Sequence, residues 1–275
     1  MTDLTILSAG GGTWNCGYDD HTLPPVRPGG GQAHHIAGLF AAMGTLVAVL
    51  SRDAHGMGQH VDVSMLAAAN VTTELGTIEW LVAKNTVQRQ TGRHASPVRT
   101  LEVQVLAADG RYVTTGFPPH EAKDFQATLD WLVELGLESE FPEAFFLTLG
   151  IERGGVDFRN LGSDVEATEI YAAGRGALCL IASRVSAYDF FIGAQKRDLQ
   201  CGMIYAPEEA LGDGHFQARG FPVTVPHPDL GREFTYPGSP VHSTEDGWYI
   251  RRRAPLVGEH TQEGFLTGTT GPGQN

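Results

Sequence analysis

The chain has 275 residues, of which 41% are hydrophobic and 19% are charged, and its formal net charge is −13. This composition can bury a sizeable core and excludes a largely disordered chain, and an acidic balance without a long basic run disfavours nucleic acid as a ligand. The three cysteines are far apart and odd in number, so no disulfide framework is predicted and a reducing, cytoplasmic location fits.

The first hundred residues predict a mainly helical region. A short apolar segment (3–15) leads into a loop rich in proline, aspartate and glycine (16–35), and a helix is expected over about 36–52. Its closely spaced alanines and glycines predict a helix that is packed on most sides. Residues 36–50 carry no charge but fall short of the about twenty residues that cross a bilayer, so no membrane contact is expected.

A strand and a second helical stretch follow. Polar and apolar side chains alternate over 60–64, which predicts a strand, and the pattern over 66–84 is helical. Asp62 and Ser64 could line a pocket, but Ser64 is better explained as the N-cap of the helix that follows it. Residues 85–99 are expected to form a polar loop.

Beyond residue 100 the composition changes to mixed helix and strand. An Ala-Asp-Gly turn predicts a hairpin of two strands, at 101–106 and 112–115. Helices are expected at about 120–136, 164–174 and 177–197, and a short helix is expected to open at Pro207. Further short strands are predicted at 223–225 and 233–236.

The segment GGGQAHHIAG, residues 29–38, is the main candidate site. Its three successive glycines could line a phosphate or thioester cavity, but they match no nucleotide-binding motif, so a turn into the helix is favoured. His34 and His35 can hold or release a proton near neutral pH, which suits a general base. A metal site would need further ligands, and none is predicted.

Four motifs follow one another along the chain: DLTILSAGG, PPVRPGGGQAHHIAG, GMGQHVDVSMLAA and RAPLVGEHT. Together they resemble the class III coenzyme A transferases of the CaiB/BaiF type, which include formyl-CoA transferase and α-methylacyl-CoA racemase. The resemblance implies an α/β fold of interlocked-dimer type. It divides the chain into a partial large domain (1–99), a smaller α+β domain (100–200) and a segment that returns to the large domain (201–275).

The resemblance also implies a reaction and its substrates. These enzymes move coenzyme A between carboxylic acids through an aspartyl-CoA thioester, so an acyl-CoA and a carboxylic acid are the expected substrates, with no other cofactor. The predicted contacts of the CoA thioester are Gly30, Gly31, Gln32, His35 and Arg93. Arg93 belongs to the loop TGRH, where formyl-CoA transferase carries a run of glycines instead.

Two departures from the family pattern change the expectation. The family's N-terminal βαβ-type segment, which supplies much of the CoA pocket, has no counterpart, so the large domain is expected to be partly open, with an unpaired sheet edge. The chain could be one product of a split gene, a shortened chain, or a subunit completed by another chain. His34 occupies the position of the catalytic aspartate in the family pattern GGPQADxxAG. Imidazole cannot form the acyl anhydride and aspartyl thioester of this route.

The chain is therefore expected to work through a partner's carboxylate, as a homodimer or as a heteromer with a related transferase chain. Two alternatives stay open. The chain could be a non-catalytic scaffold or CoA-binding subunit, or it could be an acyl-CoA racemase or isomerase with His34 as the base that removes an α-proton.

The remaining reactive residues receive structural interpretations. Glu259 and His260 look like a catalytic pair but are assigned to packing and hydrogen bonding. The run 251–253 of three arginines could meet CoA phosphates, and a solvated surface is at least as good an explanation. Cys201 has no neighbouring base in the sequence and is expected to be buried and inert.

Overall fold

A computed structural model describes residues 2–245 and 247–261. The chain divides into two compact units, Met1–Ile204 and Tyr205–Asn275. Helices and short antiparallel strands occur in both units, in agreement with the predicted mixed fold class. The helices in chain order are α1 (Asp3–Ala9), α2 (Gln32–His55), α3 (Met65–Val71), α4 (Glu74–Ile78), α5 (Ala122–Glu134), α6 (Ala144–Glu152), α7 (Val165–Arg184), α8 (Ala187–Lys196), α9 (Pro207–Ala210) and α10 (Gly214–Ala218).

Among the residues that the structure describes, the strands are short and pair in three small antiparallel sheets. Strands β1 (Gln88–Gln90) and β2 (Arg93–Ser96) form a hairpin inside the stretch that was predicted as loop. The second sheet has the order β3 (Gln104–Leu106), β4 (Tyr112–Thr114), β5 (Gly202–Met203), which confirms the hairpin at the Ala-Asp-Gly turn. Strands β6 (Pro222–His227) and β7 (Arg232–Pro237) pair from Pro222 opposite Pro237 to His227 opposite Arg232.

Polar side chains cap several helices at the positions that the sequence favours. The Ser64 hydroxyl accepts the Ala67 N–H at 3.2 Å and starts α3, which confirms its predicted role. Asp164 and Ser186 cap α7 and α8 in the same way. The predicted strand at 60–64 is wrong. This segment pairs with no other described strand and runs as coil from the end of α2 to Ser64, the N-cap of α3. Alternation marks an extended chain, but a strand also needs a partner edge.

The main hydrophobic core lies between residues 105 and 203 of the first unit. Helices α5, α6, α7 and α8 pack together with the β3–β4–β5 sheet. Phe125, Leu178 and Phe190 are fully buried, and Trp131 stacks on Phe190 with a ring-centroid distance of 5.5 Å. Helix α6 lies between two of the predicted helices and was not itself predicted.

Helix α2 is longer and far less buried than predicted. It has 24 residues, and of these Ala33 and Ala37 are buried against α1 and α3. The prediction of a helix packed on most sides is wrong for this chain, since an apolar composition favours burial without supplying the surface that covers it. By length and composition α2 is the one helix among the described residues that could cross a membrane.

In the second unit, Pro207 opens α9 as predicted, and the β6–β7 hairpin carries a hydrogen bond between His227 Nε2 and the Tyr236 hydroxyl at 2.8 Å. Arg253 holds two carboxylates: its Nε lies 2.6 Å from Asp229 Oδ1, and its Nη1 donates to Glu259 Oε2 at 2.8 Å. These contacts fasten the segment before the GEHT motif to the turn of the hairpin.

Candidate functional site

A tight turn leads into α2 and sets the position of the two histidines. Gly30 and Gly31 have φ values of 79° and 65°, in the left-handed region that glycine adopts without strain. Gly31 is the N-cap, and its carbonyl accepts the His34 N–H at 3.1 Å. A Cβ on Gly31 would meet open space, so it is the backbone conformation that requires glycine here.

A carboxylate from the first helix reaches this turn. Asp3 Oδ1 accepts the Ala33 N–H at 3.0 Å, and Asp3 Oδ2 accepts a hydrogen bond from Arg27 Nη1 at 2.8 Å. His34 Nδ1 lies 3.7 Å from Asp3 Oδ1. Asp3 therefore joins the start of α2, the preceding loop and His34. The sequence analysis missed this residue, because nothing local marks a contact between side chains 31 positions apart.

The two histidines face solvent rather than an enclosed pocket. The side chain of His34 is 60% exposed, whereas that of Asp3 is 11% exposed. His35 is exposed as well. Asp3 lies near Nδ1 of His34, but the 3.7 Å separation is longer than a hydrogen bond.

A cavity of about 300 Å³ lies beside the start of α2. Gln32 and Ile36, which are four residues apart on one side of the helix, face it together with Arg93 and His94 of β2. Two of the predicted contact residues, Gln32 and Arg93, therefore meet at one cavity. The lining residues do not include Gly30, Gly31, His34 or His35. The role of all these residues in binding CoA stays a prediction.

Arg93 is tied to the loop before α2. Its Nη1 and Nη2 atoms donate to the two carboxylate oxygens of Asp19 at 3.1 and 2.7 Å, and its Nε donates to Gln90 Oε1 at 3.2 Å. Burial opposes ionisation of Asp19, but hydrogen bonds from Arg93 and Thr91 outweigh it, so the pKa of the Asp19 carboxyl lies below its ordinary value. A phosphate could reach the Arg93 guanidinium only after this pair separates.

The GEHT segment holds a carboxylate that is already satisfied. Hydrogen bonds from Arg253 and from the Leu256 N–H lower the pKa of Glu259 to about 2. A carboxylate that ionises so readily is a weak base near neutral pH. The predicted hydrogen bonding of Glu259 is therefore present, although its side chain is exposed rather than packed.

The thiols are protonated at neutral pH. Burial raises the pKa of Cys201 to about 12, and its Sγ lies 3.6 Å from the Thr115 carbonyl oxygen, to which it can donate. Burial also raises the pKa values of Cys16 and Cys179. Cys201 is partly buried rather than fully buried as predicted, and a protonated thiol is a poor nucleophile, so the prediction that it is inert stands as a prediction. Within residues 2–245 and 247–261, no group of three or more histidine, cysteine or acidic side chains is placed to hold a metal ion.

Comparisons with known proteins identify relatives along almost the whole chain. A subunit, BbsE, of the succinyl-CoA:(R)-benzylsuccinate CoA-transferase of Thauera aromatica is 27% identical over 267 residues, covering 95% of this chain and 60% of that protein. A succinyl-CoA:mesaconate CoA-transferase of Haloarcula marismortui is 24% identical and is covered to 62% of its length. The chain thus spans about three fifths of the length of these relatives.

Solved structures show the same fold. The crystal structure of a CAIB/BAIF family protein from Brucella suis matches with a TM-score of 0.67 at 18% identity, covering 97% of this chain and 62% of that one. At this identity the likeness concerns the fold alone. The sequence model described as CoA-transferase family III matches residues 1–142 and 166–261. The chain belongs to CoA-transferase family III.

Proposed function

We propose that this chain is a subunit of an enzyme that moves coenzyme A between carboxylic acids, and that a related chain supplies the carboxylate that carries the thioester. The observation that carries the proposal is the side chain at position 34. Residue 34 is a histidine, and we propose that it occupies the position of the aspartate in the family pattern. Imidazole cannot form the stable anhydride and thioester of that route.

Asp3 is a poor substitute for the missing nucleophile. It is nearly buried, and its two oxygens are already bound to Arg27 and to the Ala33 N–H. Attack through either oxygen would break one of these charge-assisted or helix-capping contacts. The nearest carboxylate is therefore better suited to holding the start of α2.

An exposed apolar stripe on α2 supports the need for a partner. Every member of the stripe is at least half exposed, and the spacing puts all of them on one side of the helix: Leu39, Met43, Leu46, Val47 and Leu50. A contiguous apolar surface of this kind marks an interaction site. The opposite side of α2 packs on α1 and α3, so the helix belongs to a folded unit, and we propose protein rather than lipid as the cover and a cytoplasmic location.

The names of the relatives support the subunit reading and the substrate class. One relative is a subunit of its enzyme, and both use succinyl-CoA and an organic acid. We propose the same class of reaction here, with an acyl-CoA as donor and a carboxylic acid as acceptor. The two copies of a homodimer would carry the same His34, so a related chain with its aspartate is the preferred partner.

The test is CoA transfer from succinyl-CoA with this chain alone, with a full-length relative alone, and with both together. We expect no transfer by this chain alone, and a hydroxylamine-sensitive CoA adduct on the relative in the mixture. His34→Asp, with His34→Asn as the matched control, should let this chain contribute an adduct of its own. If the unaltered chain forms an adduct that Asp3→Asn abolishes, Asp3 is the nucleophile and the proposal is wrong.

The position of Asp3 near His34 favours a second candidate, proton transfer at the α-carbon of an acyl-CoA. The His34 imidazole would be the base, with Asp3 Oδ1 3.7 Å from its Nδ1. This candidate predicts α-deuterium incorporation into acyl-CoAs in deuterated water, lost in His34→Asn and reduced in Asp3→Asn. Absence of exchange by the unaltered chain removes it. If neither α-deuterium exchange nor CoA transfer occurs in any mixture, the results favour the alternative of a non-catalytic scaffold or CoA-binding subunit.

A further inference from the structure

A groove in the first unit is lined by two tryptophans. The groove has a volume of about 380 Å³, and Trp14 and Trp80 line it together with Leu81 and Val87. The side chains of Trp14 and Trp80 are 59% and 54% exposed. The volume lies within the range of small-molecule sites, which are mostly apolar and carry a few polar groups.

The groove adjoins the cavity at the start of α2. Asn15, Thr73 and Gly76 line both spaces. Gln32 and Arg93, two of the predicted contact residues, line the cavity and not the groove.

The backbone that presents Trp80 is unusual in two ways. Residues Glu79–Ala83 form a π-helical turn directly after α4. The turn ends at Lys84, whose φ of 59° is in the left-handed region that non-glycine residues rarely adopt. π-helical turns and strained residues of this kind concentrate at functional sites. Lys84 Nζ lies 5.7 Å from the centroid of the Trp80 ring, which holds that side chain in a cation–π contact.

We propose that this groove, defined by Trp14, Asn15, Trp80, Leu81 and Val87, binds the aryl substituent of the carboxylic acid. The inference rests on the proposed function for the acid and adds the aryl class. Two indole rings offer flat apolar faces for a ring, and aromatic pairs gain more than the burial of their area alone. Thr77 and Asn85 add polar groups along the wall, so the groove combines an apolar floor with a few hydrogen-bonding groups.

The proposal is tested by tryptophan fluorescence of the full chain titrated with benzylsuccinate and, in parallel, with succinate. The chain has four tryptophans, of which Trp131 is buried in the main core and Trp248 is exposed in the second unit. We expect saturable quenching by benzylsuccinate at concentrations at least about tenfold below those that succinate requires. Trp80→Ala should weaken benzylsuccinate binding about tenfold, and the matched control Trp248→Ala should leave it unchanged.

A conservative variant guards against loss of folding: Trp80→Phe should retain most of the binding that Trp80→Ala loses. The proposal is overturned by equal affinity for the two acids, by absence of saturable binding, or by equal effects of Trp80→Ala and Trp248→Ala. It is also overturned if Trp80 is shielded from iodide at high protein concentration and exposed on dilution, because the groove is then a contact between chains.

These outcomes separate this inference from the proposed function. A chain that prefers benzylsuccinate but supports no CoA transfer with any partner keeps the groove and removes the transferase proposal. A chain that supports CoA transfer to both acids equally keeps the transferase proposal and removes the proposed aryl site in the groove.

Discussion

The two halves of the first unit differ in how far they bury their apolar side chains. Between residues 105 and 203, twenty buried apolar residues form one continuous core of helices and strands. Before residue 100, a core cluster of four, Ile6, Leu7, Ala33 and Ala69, lies under a 24-residue apolar helix whose stripe faces outward. Residues 105–203 therefore bury their apolar side chains in one core, whereas the region before residue 100 leaves an apolar stripe on α2 exposed, which we propose is covered by a further chain.

The largest expected effect is on the free energy of unfolding, and it is tested by one substitution in each of the two regions. Leu178→Ala removes a fully buried side chain from the main core and should lower the free energy of unfolding by about 2–5 kcal/mol. Leu46→Ala removes a side chain that is 65% exposed and should change it by less than about 0.5 kcal/mol. Urea unfolding of both variants checks this. A large loss for Leu46→Ala in the isolated chain would show that α2 is covered within the chain itself.

A smaller effect is expected at the joint between α1 and α2. Asp3→Ala removes the acceptor of the Ala33 N–H and the partner of Arg27, and should cost about 1–2 kcal/mol, while Asp3→Asn should cost less because it keeps an acceptor. Hydrogen exchange of the Ala33 amide is the readout. Asp53→Asn alters an exposed aspartate in the last turn of α2 and is the control. Unchanged protection in Asp3→Ala would contradict the assigned contact.

The smallest effect concerns acid sensitivity at the hairpin. The folded-state pKa of Asp19 lies below the ordinary value of 3.8, so its contribution to stability is present above about pH 4 and is lost as the pH falls through the lowered pKa. Asp19→Asn should therefore cost about 1 kcal/mol at pH 7 and progressively less toward pH 2. Urea midpoints across this range, compared with Asp62→Asn, give the measurement. If the loss of stability caused by Asp19→Asn became larger as the pH fell, the assigned direction of the Asp19 pKa shift would be contradicted.

Local patterns predicted the elements whose signals are local. The helix that opens at Pro207, the cap at Ser64 and the hairpin around Gly110 follow from the chemistry of a few neighbouring residues, and all three are confirmed. The hairpin β1–β2 was missed because its sequence, QRQTGRHAS, is polar. Contacts from outside hold it, including the bonds from Arg89 Nη2 to the carbonyl oxygens of His21 and Leu23.

The candidate site shows the same division. The glycine required at the turn before His34 follows from local backbone geometry, and the assignment of His34 to the family's aspartate position stays a prediction from a local motif. That Asp3 lies beside His34, and that Arg93 is held by Asp19, depends on how distant segments meet in the fold. The exposure of α2 could not be predicted either, because its sequence indicates only that the helix favours an apolar neighbour.

The central claim is that this chain does not carry the thioester by itself, and the intact mass of the purified chain after incubation with succinyl-CoA tests it most directly. The account predicts an unchanged mass for the unaltered chain and a CoA-thioester adduct, removed by hydroxylamine, when His34→Asp restores a carboxylate at that position. An adduct of the same mass on the unaltered chain would contradict the account.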